Sequence, residues 1–368
     1  MSKPWYEVNN LHNVPSPALL IYVERVEENL RRMIALAGGT ERLRPHIKTH
    51  KMAEMMRLQL ALGITKFKCA TVAEAEMAAL AGAEDVLLAY QPVGPNVPRL
   101  FELMARFPRV RFSCVADNAT SIGALAEAAA HAHTRLEVLL DLDVGQHRTG
   151  VAPEAAFDLY RLIASQPSLI PGGLHAYDGH IHDTDVMART TACEAAFEPV
   201  EFLRRELVRE NLSVPRVVAG GTPTFPMHAR RDDVECSPGT CVFWDAGYAR
   251  MFPDLDFLPA ALLLTRVVSK PAPNRLCLDL GHKAVASEMP HPRVVFLNLD
   301  DATPVMHSEE HLVIETPRAD AFAIGDMLYG LPWHICPTVA LHSEVVLVRN
   351  HQAEERWKVT ARSRALTF

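Results

Sequence analysis

From residue 17 onward the chain alternates short apolar runs with stretches whose apolar positions recur every three or four residues. Residues 17–22 are one continuous apolar run, and Val26, Leu30, Met33 and Ile34 then fall on one helical face. The pattern predicts a strand followed by a helix, and it repeats. A strand around Lys48 precedes a helix at 53–62, a strand at 67–70 precedes a helix at 71–81, and one at 86–90 precedes a helix at 95–106. Further strands are predicted at 110–115, 136–142 and 172–176, and the strand 217–219 follows a long helix at 187–211. Strands that alternate with helices pair in parallel, and about eight such units close into a (β/α)8 barrel of the TIM type. An open doubly wound sheet would gather its functional residues in one crevice. Here chemistry-bearing residues sit at the C-terminal ends of many strands, which favours the barrel.

After residue 255 the texture changes. Apolar runs at 261–268, 276–280, 294–297, 311–315 and 345–348 are separated by Pro, Asn and Gly turns without long helices. The expected division is an α/β barrel over 17–255 and a β domain over 256–368, which residues 1–16 can join.

Composition narrows the partners. The 368 residues are 49% hydrophobic, enough for a large core, and the net charge of −7 comes from interspersed charges. Such a chain has neither a nucleic-acid footprint nor a polybasic membrane-seeking run, so a small-molecule partner is expected. Seven cysteines without a CxxC pair point to a reducing compartment. No apolar run is long enough to span a membrane, and the first residues lack the pattern of a signal peptide, so a cytoplasmic location is expected.

The densest chemistry lies in Leu43-Arg44-Pro45-His46-Ile47-Lys48-Thr49-His50-Lys51. If extended, it places Arg44, His46, Lys48 and His50 on one face. A lysine crowded by cations in a partly desolvated site loses proton affinity and becomes a nucleophile. A solvated basic edge strand accounts for the same residues. Four other stretches carry polar groups at predicted strand ends. Asp141 to Gly150 runs into a Gly-bounded loop with His147 and Arg148, and Tyr177 follows the strand at 172–176. The strand at 217–219 ends in Gly220-Gly221-Thr222, where exposed N–H groups and a hydroxyl suit a phosphate as well as they make a tight turn. In the β domain, His334-x-Cys336, read as part of a strand, points imidazole and thiolate to one side, a pair suited to Zn²⁺ or equally to a core cysteine beside a satisfied histidine.

Arg44-Pro45-His46-Ile47-Lys48-Thr49-His50-Lys51 resembles the pyridoxal-phosphate lysine motif of the D-threonine aldolase and D-serine dehydratase group, whose fold is that of alanine racemase. The resemblance covers most of the chain, and it implies that Lys48 carries pyridoxal 5'-phosphate. It implies that Arg148 and Tyr177 line the cofactor, that Gly221 and Thr222 form the phosphate turn, and that Ser237 and Gly239 lie on a second loop near the phosphate. It also makes His334 and Cys336 the ligands of a divalent metal, Zn²⁺ first with Mn²⁺ or Mg²⁺ as alternatives, with Glu309 as a polar contact near it. Lys48, His334 and Cys336 are then the catalytic residues. The group includes Zn²⁺-dependent dehydratases with this His-x-Cys pair, whereas its aldolases usually have His-x-Asp. The implied activity is lysis of β-hydroxy-D-amino acids, with retro-aldol cleavage to glycine and an aldehyde ranked before dehydration to a keto acid and ammonia, and a homodimer is expected. A racemase needs no metal pair, and non-catalytic pyridoxal-phosphate carriers of the same barrel fold lack a β domain.

Overall fold

The apolar run after Pro17 is a strand, β1 (Ala18–Tyr22), in a computed structural model that describes residues 3–368. The helix Val23–Ala37 follows it, as the pattern predicts. Its partners, however, are not barrel strands. The parallel sheet is built from β2 (Lys66–Cys69), β3 (Asp85–Leu88), β4 (Arg111–Ala116), β5 (Leu136–Leu142), β6 (Leu169–Ala176), β7 (Val217–Ala219) and β8 (Val234–Cys236). They pair in sequence order, each parallel to the next.

The intervening helices have sequence-encoded ends. Thr71 caps Val72–Ala81 by accepting the Glu74 N–H, and Gly82, at φ 103°, closes that helix in a conformation that only glycine adopts without strain. Asn118 and Asp185 cap Ala119–His131 and Val186–Arg209 in the same way as Thr71. β3 and β5 are buried along their whole length, as expected for strands covered on both faces. Leu87, Val115, Leu139 and Val218, from four strands, pack against one another as a layer inside the ring.

Residues 42–46 close that ring. Arg44 N donates to Cys236 O (2.9 Å) and Cys236 N to Arg42 O (2.8 Å), while on the other side Lys68 N donates to Pro45 O (2.9 Å). Leu43 bridges to Cys236 and His46 to Lys68, both in parallel, so this extended segment stands between β8 and β2 as the eighth stave. The expected strand around Lys48 stops there. Pro45 offers no N–H to the ladder, and Ile47–Thr49 turns as a 3₁₀ helix, which sets Lys48 just beyond the C-terminal end of the stave.

Arg44 anchors the stave. Its guanidinium is fully buried, with Nη1 2.6 Å from Asp85 Oδ1 and Nε 2.6 Å from Glu235 Oε2. Lys66 reaches Glu235 at 2.7 Å, and Glu137 holds Arg111 at 2.6 Å and Arg216 at 2.7 Å. Burial would raise the Asp85 and Glu235 carboxyls, but Arg44 outweighs it and holds both below the usual carboxylate range.

The other sheet contains β1 with β9 (Ala261–Ala272), β10 (Arg275–Leu278), β11 (Val294–Phe296), β12 (Thr303–His307), β13 (Leu312–Glu315), β14 (Met327–Pro332), β15 (Glu344–Arg349) and β16 (Gln352–Lys358). Its main path runs β12-β13-β10-β9-β1-β15-β16, and β14 joins β9 to β11. β1 lies antiparallel to β9 and parallel to β15. Alternate residues, Leu20 and Tyr22, Leu262 and Leu264, Tyr329 and Leu331, Val346 and Val348, make one apolar face, onto which Val8, Leu11 and Val14 pack.

The chain accordingly forms two units. One holds Met33–Lys48, Ala53–Gly239 and Ser363–Phe368, and the other holds the residues up to Arg32, Thr49–Met52 and Thr240–Arg362. Compared with the expected boundaries of 17–255 and 256–368, β1 and the residues from Thr240 onward fall with the β sheet. β1 is buried almost throughout, so its own pattern does not say which sheet it enters. Among the described residues no helix is long and apolar enough to cross a membrane.

Replacing Arg44 with Met should cost about 3–5 kcal/mol by urea denaturation, because Asp85 and Glu235 would lose the fully buried cation they share and keep only the more exposed Arg111 and Lys66. Both carboxyls are depressed in the folded state, so their contribution is present at neutral pH and is lost as pH falls through their folded values. Wild-type stability should therefore fall as pH drops from the ordinary carboxylate range through those lower values, and the fall should be blunted in the variant.

Candidate active site

Three cations gather around one ring in the barrel unit. Tyr177, just past β6, has Lys48 Nζ 5.8 Å, Lys68 Nζ 5.7 Å and Arg148 Cζ 5.0 Å from its ring centroid. Two glycines leave room for that ring. A Cβ on Gly179 would fall 2.4 Å from it, and one on Gly221 3.2 Å. Lys48 and Tyr177 are half-buried and Arg148 is exposed. The loop that carries Arg148 is shaped by Asp143, whose Oδ1 accepts the N–H groups of Gly145 (3.0 Å) and His147 (2.9 Å). The exposed His147 ring turns back to Asp143 Oδ2 (2.9 Å).

The turn after β7 forms a second cluster. Gly220 has φ 75°, and Thr222 Oγ1 accepts the Gly239 N–H at 3.1 Å, which ties the two loops expected to hold a phosphate. Ser237 Oγ, on the loop that carries Gly239, is buried and has no hydrogen-bond partner among the described residues. An orphaned buried hydroxyl beside a glycine turn is costly alone and fits a phosphate ester. Behind the turn, Asp178 accepts from Thr224 Oγ1 (2.9 Å) and pairs with His228 Nε2 (2.8 Å), with Cys193 Sγ 3.5 Å from the same nitrogen. Asp178, Cys193 and His228 converge as metal ligands could, but these contacts already link their polar atoms and anchor the turn.

In the other unit, His334 precedes the short helix Ile335–Leu341 and Cys336 lies in its first turn, so the pair converges at a helix start and not by strand alternation. His334 Nδ1 is 2.6 Å from Glu288 Oε1. Cys336 Sγ is 3.2 Å from the hydroxyl of Thr49, the residue after Lys48 in the chain, and 3.7 Å from that of Thr240. Asp245 fixes the helix start by accepting the Ile335 N–H (2.9 Å), and burial pushes its carboxyl up to about 6. Burial opposes the charged form of His334, but its hydrogen bond to Cys336 and then Glu288 prevail and raise it to about 9. The donor chemistry fits a divalent cation. A carboxylate on Nδ1 orients the ring and frees Nε2, as at metal-bound histidines, and imidazole with thiolate suits Zn²⁺.

The alanine racemase N-terminal domain family matches residues 21–246, and the serine dehydratase domain matches residues 260–348. The chain belongs to the alanine racemase N-terminal domain family. Within it, the chain is 32% identical to a D-threonine aldolase of Arthrobacter sp., over 96% of this chain and 94% of that one. It is 30% identical to a 3-hydroxy-D-aspartate aldolase of Paracoccus denitrificans, over 95% and 93%. The crystal structure of D-threonine aldolase from Filomicrobium marinum superposes with a TM-score of 0.90 at 28% identity, over 100% of both chains. Aldolase and dehydratase relatives make this alanine racemase-like protein an enzyme of the lyase class.

Against the expected site, the structure brings Lys48, Arg148 and Tyr177 around one ring, and Gly221, Thr222, Ser237 and Gly239 around one turn. Glu309 is not with His334: it is exposed and paired with Lys283 at 2.8 Å, and the carboxylate on His334 belongs to Glu288. Glu288 and Asp245 escaped sequence reasoning because neither lies in a motif position, and Thr49, inside the Lys48 motif, carries no local sign that it meets Cys336. Lys68 had a signal, as a lysine amid the apolar residues of β2.

Glu288→Gln should weaken Zn²⁺ binding about 10–100-fold in competition with a chromogenic chelator, without changing the visible absorbance of bound pyridoxal phosphate. Ser237→Ala should lower cofactor affinity roughly tenfold or more in spectrophotometric titration of the apoprotein, while Zn²⁺ affinity stays as in the wild type.

Proposed function

We propose that the protein cleaves the Cα–Cβ bond of β-hydroxy-D-amino acids, releasing glycine and an aldehyde. The observation that carries this reading is that one chain combines a rim lysine beside Tyr177 and an orphan phosphate-type hydroxyl with a carboxylate-oriented His-Cys pair. Lys48 would hold pyridoxal 5'-phosphate, with Arg148 and Tyr177 lining it and Gly221, Thr222, Ser237 and Gly239 around its phosphate. His334 and Cys336 would hold a divalent cation. When bound, the cofactor supplies an electron sink at Cα and the cation a Lewis acid for the β-hydroxyl.

The residues then have separate tasks. Glu288 keeps the His334 ring in register, and Asp245 keeps the helix start in place. In cleavage a base removes the β-hydroxyl proton, the C–O bond becomes a carbonyl as Cα–Cβ breaks, and Cα regains a proton. In dehydration the Lys48 amine removes the α-proton, the hydroxyl leaves as water, and hydrolysis gives a keto acid and ammonia. Similarity to a D-threonine aldolase over nearly the whole chain supports cleavage. Cys336 is the observation that favours dehydration, since a thiolate in this position resembles the dehydratase ligand set.

Product analysis separates the two. D-Threonine and 3-hydroxy-D-aspartate should yield glycine and the matching aldehyde, and D-serine little keto acid; ammonia in place of glycine would make the protein a dehydratase. Chelation should abolish turnover yet spare the cofactor's visible band, and Cys336→Asp should shift the preferred metal from Zn²⁺ toward Mn²⁺ or Mg²⁺. Hydride reduction followed by peptide mapping should place the cofactor on Lys48; a label on Lys51, or full activity in His334→Ala, refutes the assignment. The same reading carries a homodimer, which sedimentation velocity at working concentration checks.

A further inference from the structure

Lys68 is the part of the pocket that the proposed reaction leaves without a task. It lies on β2 between Phe67 and Cys69, is 1% exposed, and is fixed by its backbone N–H to Pro45 O on the stave that precedes Lys48. Its Nζ stands as near the Tyr177 ring as that of Lys48 does, 5.7 Å against 5.8 Å. Among the described residues no carboxylate lies within ion-pair distance of Lys48, Lys68 or Arg148. The carboxylates facing Lys68 are engaged elsewhere. Asp141 holds His175 Nδ1 (2.6 Å) and Thr149 Oγ1 (3.0 Å), and Asp178 holds Thr224 and His228. The other charged or titratable groups around it are Lys48, Arg44, Arg148 and His175.

We propose that Lys68 is a second working amine of the pocket, which gains and loses a proton beside Tyr177 and so sets the pH at which the cofactor carried by Lys48 changes protonation state. This rests on the reading that Lys48 carries pyridoxal phosphate. A buried ammonium with no ion pair and a second lysine on the same aromatic ring is costly, so the amine sheds its proton more readily than an exposed lysine. Burial first, and then the Lys48 charge, lower Lys68 to about 7, against the opposing pull of Asp178 and Asp141. Its role is positioning: it works through the cofactor's charge and forms no bond to substrate.

The test is a pH titration of the visible absorbance of the pyridoxal-phosphate-loaded enzyme without substrate, for wild type, Lys68→Met and Lys68→Arg. A permanent cation at 68 disfavours the protonated cofactor, so the midpoint of Lys68→Arg should lie below that of Lys68→Met by about one pH unit or more. Wild type should follow the Arg variant at low pH and the Met variant at high pH. Equal midpoints in the two variants overturn the proposal. Hydride labelling of a residue other than Lys48 in the wild type overturns the underlying reading instead. Apoprotein stability gives a second readout, independent of the cofactor and usable even if one variant folds poorly. A lysine depressed in the folded state makes wild-type stability rise with pH from about 7 toward its unfolded value. Lys68→Met, or Lys68→Gln in its place, should remove that rise, and a rise retained in either variant also overturns the proposal.

Discussion

The barrel depends on the joint at residues 42–46, where the ring closes without a regular strand. Main-chain hydrogen bonds reach from this stave to β8 on one side and β2 on the other. Arg44 gives the joint its strength. A planar guanidinium presents several donors in a fixed fork, so one buried side chain satisfies carboxylates on two different strands, which a lysine could do only as a point charge. The segment locked by Arg44 is the one that delivers Lys48 to the rim, so closing the fold and placing the proposed cofactor lysine are one structural event.

β5 shows how the interior of the ring is layered. Glu137, Leu139 and Asp141 are two residues apart and share a face of the strand. Glu137 joins the ionic belt with Arg111 and Arg216, Leu139 packs in the apolar layer, and Asp141 binds His175 and Thr149. Charge is thus admitted at the two ends of the barrel and excluded from its middle. At the N-terminal end each charge has an opposite partner. At the C-terminal end Lys48, Lys68 and Arg148 surround Tyr177 with no ion pair among the described residues, and the ring face together with the charges of Asp178 and Asp141 offsets them. Positive potential of that kind suits an anionic cofactor and an amino-acid carboxylate.

The β unit solves a different problem. The proposed cation site needs side chains held in place by their neighbours, and His334 and Cys336 are contacted from several directions by Glu288, Thr49 and Thr240, with Asp245 fixing the helix start between them. Most of these supports come from loops and helix ends, far apart in sequence. Their convergence is a property of the folded unit alone.

The sequence by itself determined the local elements and the chemistry they offer. Periodicity located the strands at 136–142 and 217–219 and most of the barrel helices, because burial on one face leaves a repeat that side-chain type records. The motifs singled out Lys48, Tyr177, Arg148, the Gly220-Gly221 turn and the His334-Cys336 pair as candidates, through their resemblance to one family's pattern of residue types. Tertiary structure decided what depends on distant partners. β1 reads as a buried strand in either sheet, and only its pairing with β9 and β15 assigns it to the β unit. His334-x-Cys336 reads as a strand, but Asp245, ninety residues before Ile335, holds it as a helix start. Glu288 in place of Glu309 on His334, and Lys68 beside Lys48, follow from strand order and loop path, which local pattern does not encode because the contacts that fix them form only when the sheets close.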